Sequence, residues 1–256
     1  MARTGLEIRN EMKKIEQSFH IKAYSNMRQL LLSLYTFREN YLLFRQHLEA
    51  HNDIDLLLNS DVFKRKPLRW EYHPLEQKTY QLFLNFVASA KALIDHTRNI
   101  VESLYIGTDF HKEYKNKVSK ELASIPVRVF VQDLRSYVLH NKFPFVSPQF
   151  KLRRVSPVGS SENLAVSTVK LTLSKQQLLK WDSWTKPSKH YLEAQNDQIP
   201  LDTLIDEYYS LIDNFYLWLD KRQREMHESE YSWLLDQWEE LYQKLEDAMS
   251  AQYKEL

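Results

Sequence analysis

Residues 80–105 read YQLFLNFVASAKALIDHTRNIVESLY, and this stretch decides the class of the fold. Its apolar side chains recur at three- and four-residue steps and fall on one stripe at 100° per residue, which is the pattern of an amphipathic α-helix. The members of the stripe are Leu82, Phe83, Phe86, Ala90, Leu93, Thr97, Ile100, Val101 and Leu104. We therefore predict a helix from about Leu75 to Tyr105, which Gly107 is well placed to end.

The same helical period occurs on both sides of this stretch. Residues 6–50 predict one or two helices, and a shorter polar helix is predicted near Phe110–Leu122. One face of the first segment is formed by Leu30, Leu31, Leu34, Phe37, Tyr41, Phe44 and Leu48. From Pro200 almost to the end the pattern is helical again, with a bend expected near His227–Ser229.

The pattern changes after Pro144, where the helical period is lost. Phe150–Val155 and Ala165–Leu173 flank a turn-rich segment, and Val169–Leu173 alternates apolar and polar residues. This alternation is typical of a β-hairpin with one solvated face. We therefore predict a mainly α fold, consisting of a helical bundle with an inserted β-hairpin and long C-terminal helices.

Capping signals indicate where two further helices begin. Ser174, with a glutamine three residues later, forms a capping box that predicts a short helix to about Trp184. Ser124 is a possible cap, and Pro126 suits the first turn of a helix that runs from about Val127 to Asn141.

These elements divide the chain into three parts. Residues 1–145 form the helical bundle, residues 146–185 the hairpin and short helix, and residues 200–256 the C-terminal helices, which can complete the same bundle. The candidate domain boundary is the irregular stretch around residues 185–200. A second irregular stretch, 51–74, contains two prolines and a basic cluster.

Composition excludes several classes of protein. The chain has three glycines (Gly5, Gly107 and Gly159), so neither GxGxxG nor a P-loop can form, and dinucleotide and Walker-type ATP sites are excluded. The absence of cysteine removes disulfides, thiolate nucleophiles and Cys-based zinc sites. The N-terminus is charged, unlike a signal peptide, and no apolar run approaches the roughly 18 residues that span a bilayer. We therefore expect a cytoplasmic protein with no membrane association.

Charge is spread unevenly along the chain. The net charge is +1, but residues 201–256 hold 14 acidic and 5 basic side chains, which leaves the remainder strongly basic. Either the acidic C-terminal helices pack against a basic body, or the basic body meets phosphate and the acidic part limits that contact.

One segment contains side chains that suggest a catalytic role. It comprises residues 127–141, which read VRVFVQDLRSYVLHN. Its core stripe consists of Val127, Phe130, Val131, Leu134 and Val138. Arg135 lies on the flank of that stripe and His140 on the opposite side, about 7.5 Å away along the axis. An arginine binds phosphate oxygens and a histidine transfers protons near neutral pH. For RNA these two functions suffice in principle, because the 2′-hydroxyl supplies the nucleophile.

The outward face of the same helix combines polar and apolar residues. Arg128, Gln132 and Ser136 share it with Val129 and Leu139. Two apolar residues on an otherwise polar face suggest a covering partner, although another part of the chain can also cover them. We predict a homodimer centred on this helix.

The Arg135-x4-His140 motif, near the end of a helix in a small bundle, resembles the HEPN superfamily. Many members of this family are metal-independent endoribonucleases in toxin–antitoxin, abortive-infection and CRISPR systems. The resemblance covers about residues 75–145, and the helix that contains residues 95–99 fits the neighbouring helix of the family. It implies that Arg135 and His140 form the catalytic pair, assembled with the same pair from a second subunit. It also implies no metal or cofactor, and an antitoxin or other protein as a possible partner.

Further residues are candidates for supporting roles. Family nucleases commonly have Asn, Asp or His after the arginine, whereas this chain has Ser136, which can still donate and accept a hydrogen bond. The supporting candidates are Ser136, Asn141, His96 and Arg98. The candidates for contact with the RNA backbone are Arg128, Lys64, Arg65 and Lys66. The alternatives are a solvated basic surface and a non-catalytic interaction protein that uses the 127–141 helix for dimerisation.

Overall fold

The structure is a computed structural model that describes residues 2–50, 74–144, 146–154 and 165–254. The helices are α1 (Ala2–Glu16), α2 (Phe19–Ala50), α3 (Pro74–Tyr105), α4 (Asp109–Glu121), α5 (Pro126–His140), α6 (Lys175–Leu178), α7 (Lys186–Ala194), α8 (Leu201–Met226) and α9 (Glu228–Lys254). The strands are β1 (Val146–Arg154), β2 (Ala165–Ser174) and β3 (Gln198–Pro200). The predicted mainly α fold with an inserted hairpin is confirmed.

The main hydrophobic core forms where α2, α3, α5 and α8 pack together. Phe86 of α3 lies at its centre, with ring centroids 5.7 Å from Phe37 of α2 and 5.9 Å from Tyr208 of α8. The predicted stripe of α3 is buried from Leu82 to Val101, with Leu104 half-buried. Gly107 follows α3 with φ +83°, a conformation that favours glycine, and it ends the helix as predicted.

Helix α5 is covered on one side by aromatic side chains from the 181–191 region. The Phe130 ring lies 4.9 Å from Tyr191 and 5.4 Å from Trp184, and Tyr137 stacks on Trp184 at 5.6 Å between centroids. The whole predicted core stripe of α5 is buried. Burial also raises the pKa of the Tyr137 hydroxyl.

The strands form one antiparallel sheet in the order β1-β2-β3. Phe150 pairs with Val169 in the predicted hairpin, and Leu173 pairs with Ile199 of β3. Strand β3 was not predicted, because three residues are too short for a recognisable alternation.

The structure corrects four local predictions. Leu31 is 40% exposed, because α2 presents it away from the face that packs on α3. Ile125, not Ser124, is the N-cap of α5, and Pro126 occupies the first turn as predicted. Ser174 caps α6 through the Gln177 amide, but this helix ends at Leu178. Residues 185–200, expected to be irregular, contain α7 and β3, which tertiary packing stabilises.

The acidic C-terminal part is paired with basic residues of the preceding body. On α2, Arg38 pairs with Asp213 at 2.7 Å and Arg45 with Asp206 at 3.0 Å. Lys170 of β2 pairs with Asp202 at 2.7 Å. These contacts favour the first interpretation of the uneven charge, in which the acidic helices pack against the basic body.

A second, smaller hydrophobic cluster joins the two ends of the described chain. It is formed by Ile8 and Ile15 of α1 with Leu234 and Leu241 of α9. His227 separates α8 from α9 and lies within the range where a bend was predicted. Across the described ranges, no helix combines the length and apolar character needed to cross a bilayer.

Candidate functional site

The candidate site is the C-terminal half of α5 with the residue that follows it, residues 135–141, called here the α5 end. The buried stripe of α5 occupies one side of the helix, so the residues on the other side point outward. Arg135 and Ser136 are half-buried, whereas His140 and Asn141 are exposed. The α5 end therefore presents both members of the predicted catalytic pair at the protein surface.

Arg135 and His140 flank a narrow ridge on the outward side of α5. At 100° per residue, Ser136 and Leu139 lie between them, and their Cα atoms are separated by about 7.5 Å along the axis. Within the described part of the chain, Arg135 forms no ion pair that would hold its guanidinium inside the fold. A phosphodiester lying across Ser136 and Leu139 can thus be approached from both sides.

The charge around the α5 end is positive. Lys142, exposed and directly after Asn141, adds a third basic group beside Arg135 and His140. The amides of Asn141 and Lys142 both donate to the Tyr137 carbonyl, at 2.9 and 3.3 Å, and so close the last turn of the helix. Lys142, to which the sequence pattern gave no role, is a candidate for a phosphate contact because it lies next to the motif.

The structure does not bring the supporting candidates of α3 to this site. Tyr80, near the start of α3, lies 5.1 Å between ring centroids from Phe143, just after the α5 end. His96 lies 16 residues further along α3, a displacement of about 24 Å at 1.5 Å per residue. The start of α3 is therefore beside the α5 end, whereas Ile94, two residues before His96, lines a small cavity with Arg128 near the start of α5.

His96 and Arg98 instead make contacts on their own side of the bundle. His96 Nδ1 shares a 2.7 Å hydrogen bond with Ser33 Oγ of α2. Arg98 is well exposed and pairs with Asp95 one turn earlier, at 3.5 Å. These contacts correspond to a polar helix face with local interactions.

Arg128, a candidate for contact with the RNA backbone, makes hydrogen bonds within the fold. Its Nε donates to the Leu122 carbonyl at 2.6 Å and one Nη donates to the Ala123 carbonyl at 3.2 Å. These carbonyls lie at the end of α4, where the helix no longer supplies all the donors, and the Leu122 carbonyl also accepts from the Ile125 amide at 3.2 Å. Burial lowers the pKa of Arg128 from its ordinary value. The side chain thus fixes the connection between α4 and α5.

The other candidates for contact with RNA, Lys64, Arg65 and Lys66, lie outside the described residues. Among the residues that the structure does describe, no three His, Asp or Glu side chains are grouped as metal ligands would be.

Asp133 of α5 has a role that the sequence pattern did not predict. Its Oδ2 accepts hydrogen bonds from the Thr185 amide at 3.1 Å, the Thr185 hydroxyl at 2.6 Å and the Ser188 hydroxyl at 2.6 Å. Thr185 is the N-cap of α7 and makes no side-chain cap of its own. Asp133 therefore caps α7 from another helix. No local signal predicts this, because the partners are more than 50 residues away.

We expect the Asp133→Ala substitution to lower the free energy of unfolding by about 2 kcal/mol, because it removes a charged acceptor from the N-terminus of α7. Urea denaturation measures the change. Asp133→Asn is the matched control, since it keeps one acceptor oxygen, and it should cost clearly less. Equal losses in the two variants would show that the carboxylate charge, and not the cap geometry, stabilises this contact.

Comparison of the chain with protein-family profiles, with curated protein sequences and with solved structures finds no match.

Proposed function

We propose that the protein is a HEPN-like, metal-independent endoribonuclease acting in a defence or toxin–antitoxin setting, with Arg135 and His140 as its catalytic residues. The observation that carries this proposal is the position of the half-buried Arg135 and the exposed His140 on one helix end, without an ion pair to the described residues. A purely structural arginine in this fold is instead engaged, as Arg128 is with two carbonyls.

The proposed reaction uses the substrate's own nucleophile. The 2′-oxygen attacks the adjacent phosphorus as its proton is removed, and the bond from phosphorus to the 5′-oxygen breaks as that oxygen gains a proton. His140 transfers a proton at one of these two oxygens, and Arg135 binds the phosphate oxygens as negative charge builds up on them. The products are a 2′,3′-cyclic phosphate and a 5′-hydroxyl. The resemblance implies a second pair from another subunit, which can serve the other oxygen.

The test is incubation of the purified protein with single-stranded and structured RNAs, in the presence and absence of EDTA. We expect cleavage that EDTA does not reduce, with 2′,3′-cyclic or 3′-phosphate ends identified by mass spectrometry. RNA whose 2′-hydroxyls are replaced by hydrogen should remain uncut, because it lacks the attacking group. Intact RNA in every reaction would remove the proposal.

A second candidate function is a non-catalytic interaction protein that binds its partner through α5. Leu139 favours it, because this leucine is 44% exposed in the middle of the ridge between Arg135 and His140. An exposed leucine surrounded by polar groups suits a protein contact. The two candidates differ in the cleavage assay, since the interaction protein leaves RNA intact.

A further inference from the structure

A group of exposed apolar side chains lies on α2, away from the α5 end. α2 buries one face against α3 and α8, and its opposite face carries several large apolar side chains among polar ones. The large apolar side chains on that outer face are Leu31, Leu32, Tyr35, Leu42 and Leu43, between 40% and 61% exposed. Exposed leucine and tyrosine side chains grouped on one helix face are typical of a protein contact surface, so this outer face of α2 is a candidate for one.

The spacing on the outer face of α2 is that of a helix-pairing seam. Arg28, Leu32, Tyr35, Glu39 and Leu42 follow one another at alternating steps of four and three residues. This is the heptad pattern with which one helix packs along another. The two charged members, Arg28 and Glu39, have opposite signs and form no ion pair within the described residues.

The positions of these charges identify the partner helix. If a second α2 lies antiparallel, with the two-fold axis between Ser33 and Leu34, Leu32 meets the partner subunit's Tyr35. The same register places Arg28 opposite the partner subunit's Glu39, and the two-fold axis repeats this ion pair. A parallel arrangement would place like charges opposite each other. The seam is therefore self-complementary in the antiparallel direction alone.

We propose that the protein forms an antiparallel homodimer through the outer face of α2. This interface differs from the α5-centred dimer predicted from the sequence, whose apolar residues are the half-buried Val129 and the exposed Leu139. The seam from Arg28 to Leu42 is about 21 Å long. That is short for an interface of about 800 Å² per partner, so we expect dissociation in the micromolar range. The proposal is separate from the second-subunit contact at the α5 end that the resemblance implies, because it is tested without RNA and with substitutions on α2 alone.

The experiment is sedimentation velocity at one to tens of micromolar, using the unmodified protein, Arg28→Glu, Glu39→Arg and an equimolar mixture of the two variants. Each single variant places like charges at both ends of the seam, so its dimer dissociation constant should rise about tenfold or more. The mixture restores both ion pairs in a heterodimer, and dimerisation should return. Neither substitution falls in the core, and circular dichroism is used to check that the variants are folded.

The matched control is Leu217→Glu, which changes an exposed leucine of α8 and should leave the dissociation constant unchanged. A monomeric unmodified protein at tens of micromolar would overturn the proposal, and the outer face of α2 would then belong to another partner. A mixture that dimerises no better than the single variants would overturn it equally, because the antiparallel register requires the rescue.

Discussion

His140→Ala is expected to lower the rate of RNA cleavage by at least about 100-fold, because general acid–base catalysis contributes on the order of 10² to 10⁴. Arg135→Ala should cause a comparable loss by removing the charge that binds the phosphate oxygens. Arg135→Lys keeps the charge but not the forked donors, so it should restore part of the activity. The rates are measured under single-turnover conditions with one labelled RNA.

The control for this prediction is His190→Ala, which removes an exposed histidine from α7. It should leave both cleavage and stability unchanged. The α5-end variants should also unfold within about 0.5 kcal/mol of the unmodified protein, because both side chains lie outside the core. Alanine variants that cut as fast as the unmodified protein would show that Arg135 and His140 are not the catalytic residues.

Phe130→Ala is expected to lower the free energy of unfolding by about 3 to 5 kcal/mol. Phe130 is fully buried, and its ring lies between Trp184 and Tyr191. Truncation leaves a cavity that two rigid aromatic rings cannot fill, so the cost should lie at the upper end of the range. The loss is measured as a shift of the urea midpoint with an unchanged slope.

Phe143→Ala is the matched control, since this phenylalanine is 46% exposed and its ring contacts Tyr80 alone among the described aromatic side chains. It should cost no more than about 1 kcal/mol. If both substitutions cost the same, the 181–191 region does not hold α5 as the structure indicates. The rates of RNA cleavage by these two phenylalanine variants also show how much activity is lost when α5 moves. That loss can then be distinguished from the loss caused by removing a catalytic side chain.

The elements with a long, regular period could be predicted from the sequence. The stripe of α3 and that of α5 are buried as their spacing indicates, because one-sided burial leaves a local pattern. α2 was harder to interpret, because it is apolar on two faces and the period alone does not say which face is inward. Leu31 was placed in the core for this reason.

Features that depend on distant parts of the chain could not be predicted. Asp133 accepts hydrogen bonds from Thr185 and Ser188, and Arg128 donates to carbonyls at the end of α4. The short motif gives no sign of either contact. The position of Arg135 and His140 at the surface was predicted, because it follows from the helical wheel. Their separation from His96 was not, because it depends on how α3 and α5 pack.

The two hydrophobic clusters have a consequence for how the protein opens. The α1–α9 cluster contains four buried residues, whereas the main core runs from α2 to α8. Local opening costs free energy in proportion to the apolar surface it exposes, so a small cluster separates at a lower cost than the whole core. We therefore expect α1 and α9 to open at a lower cost than the main core, while α5 stays held between its aromatic neighbours.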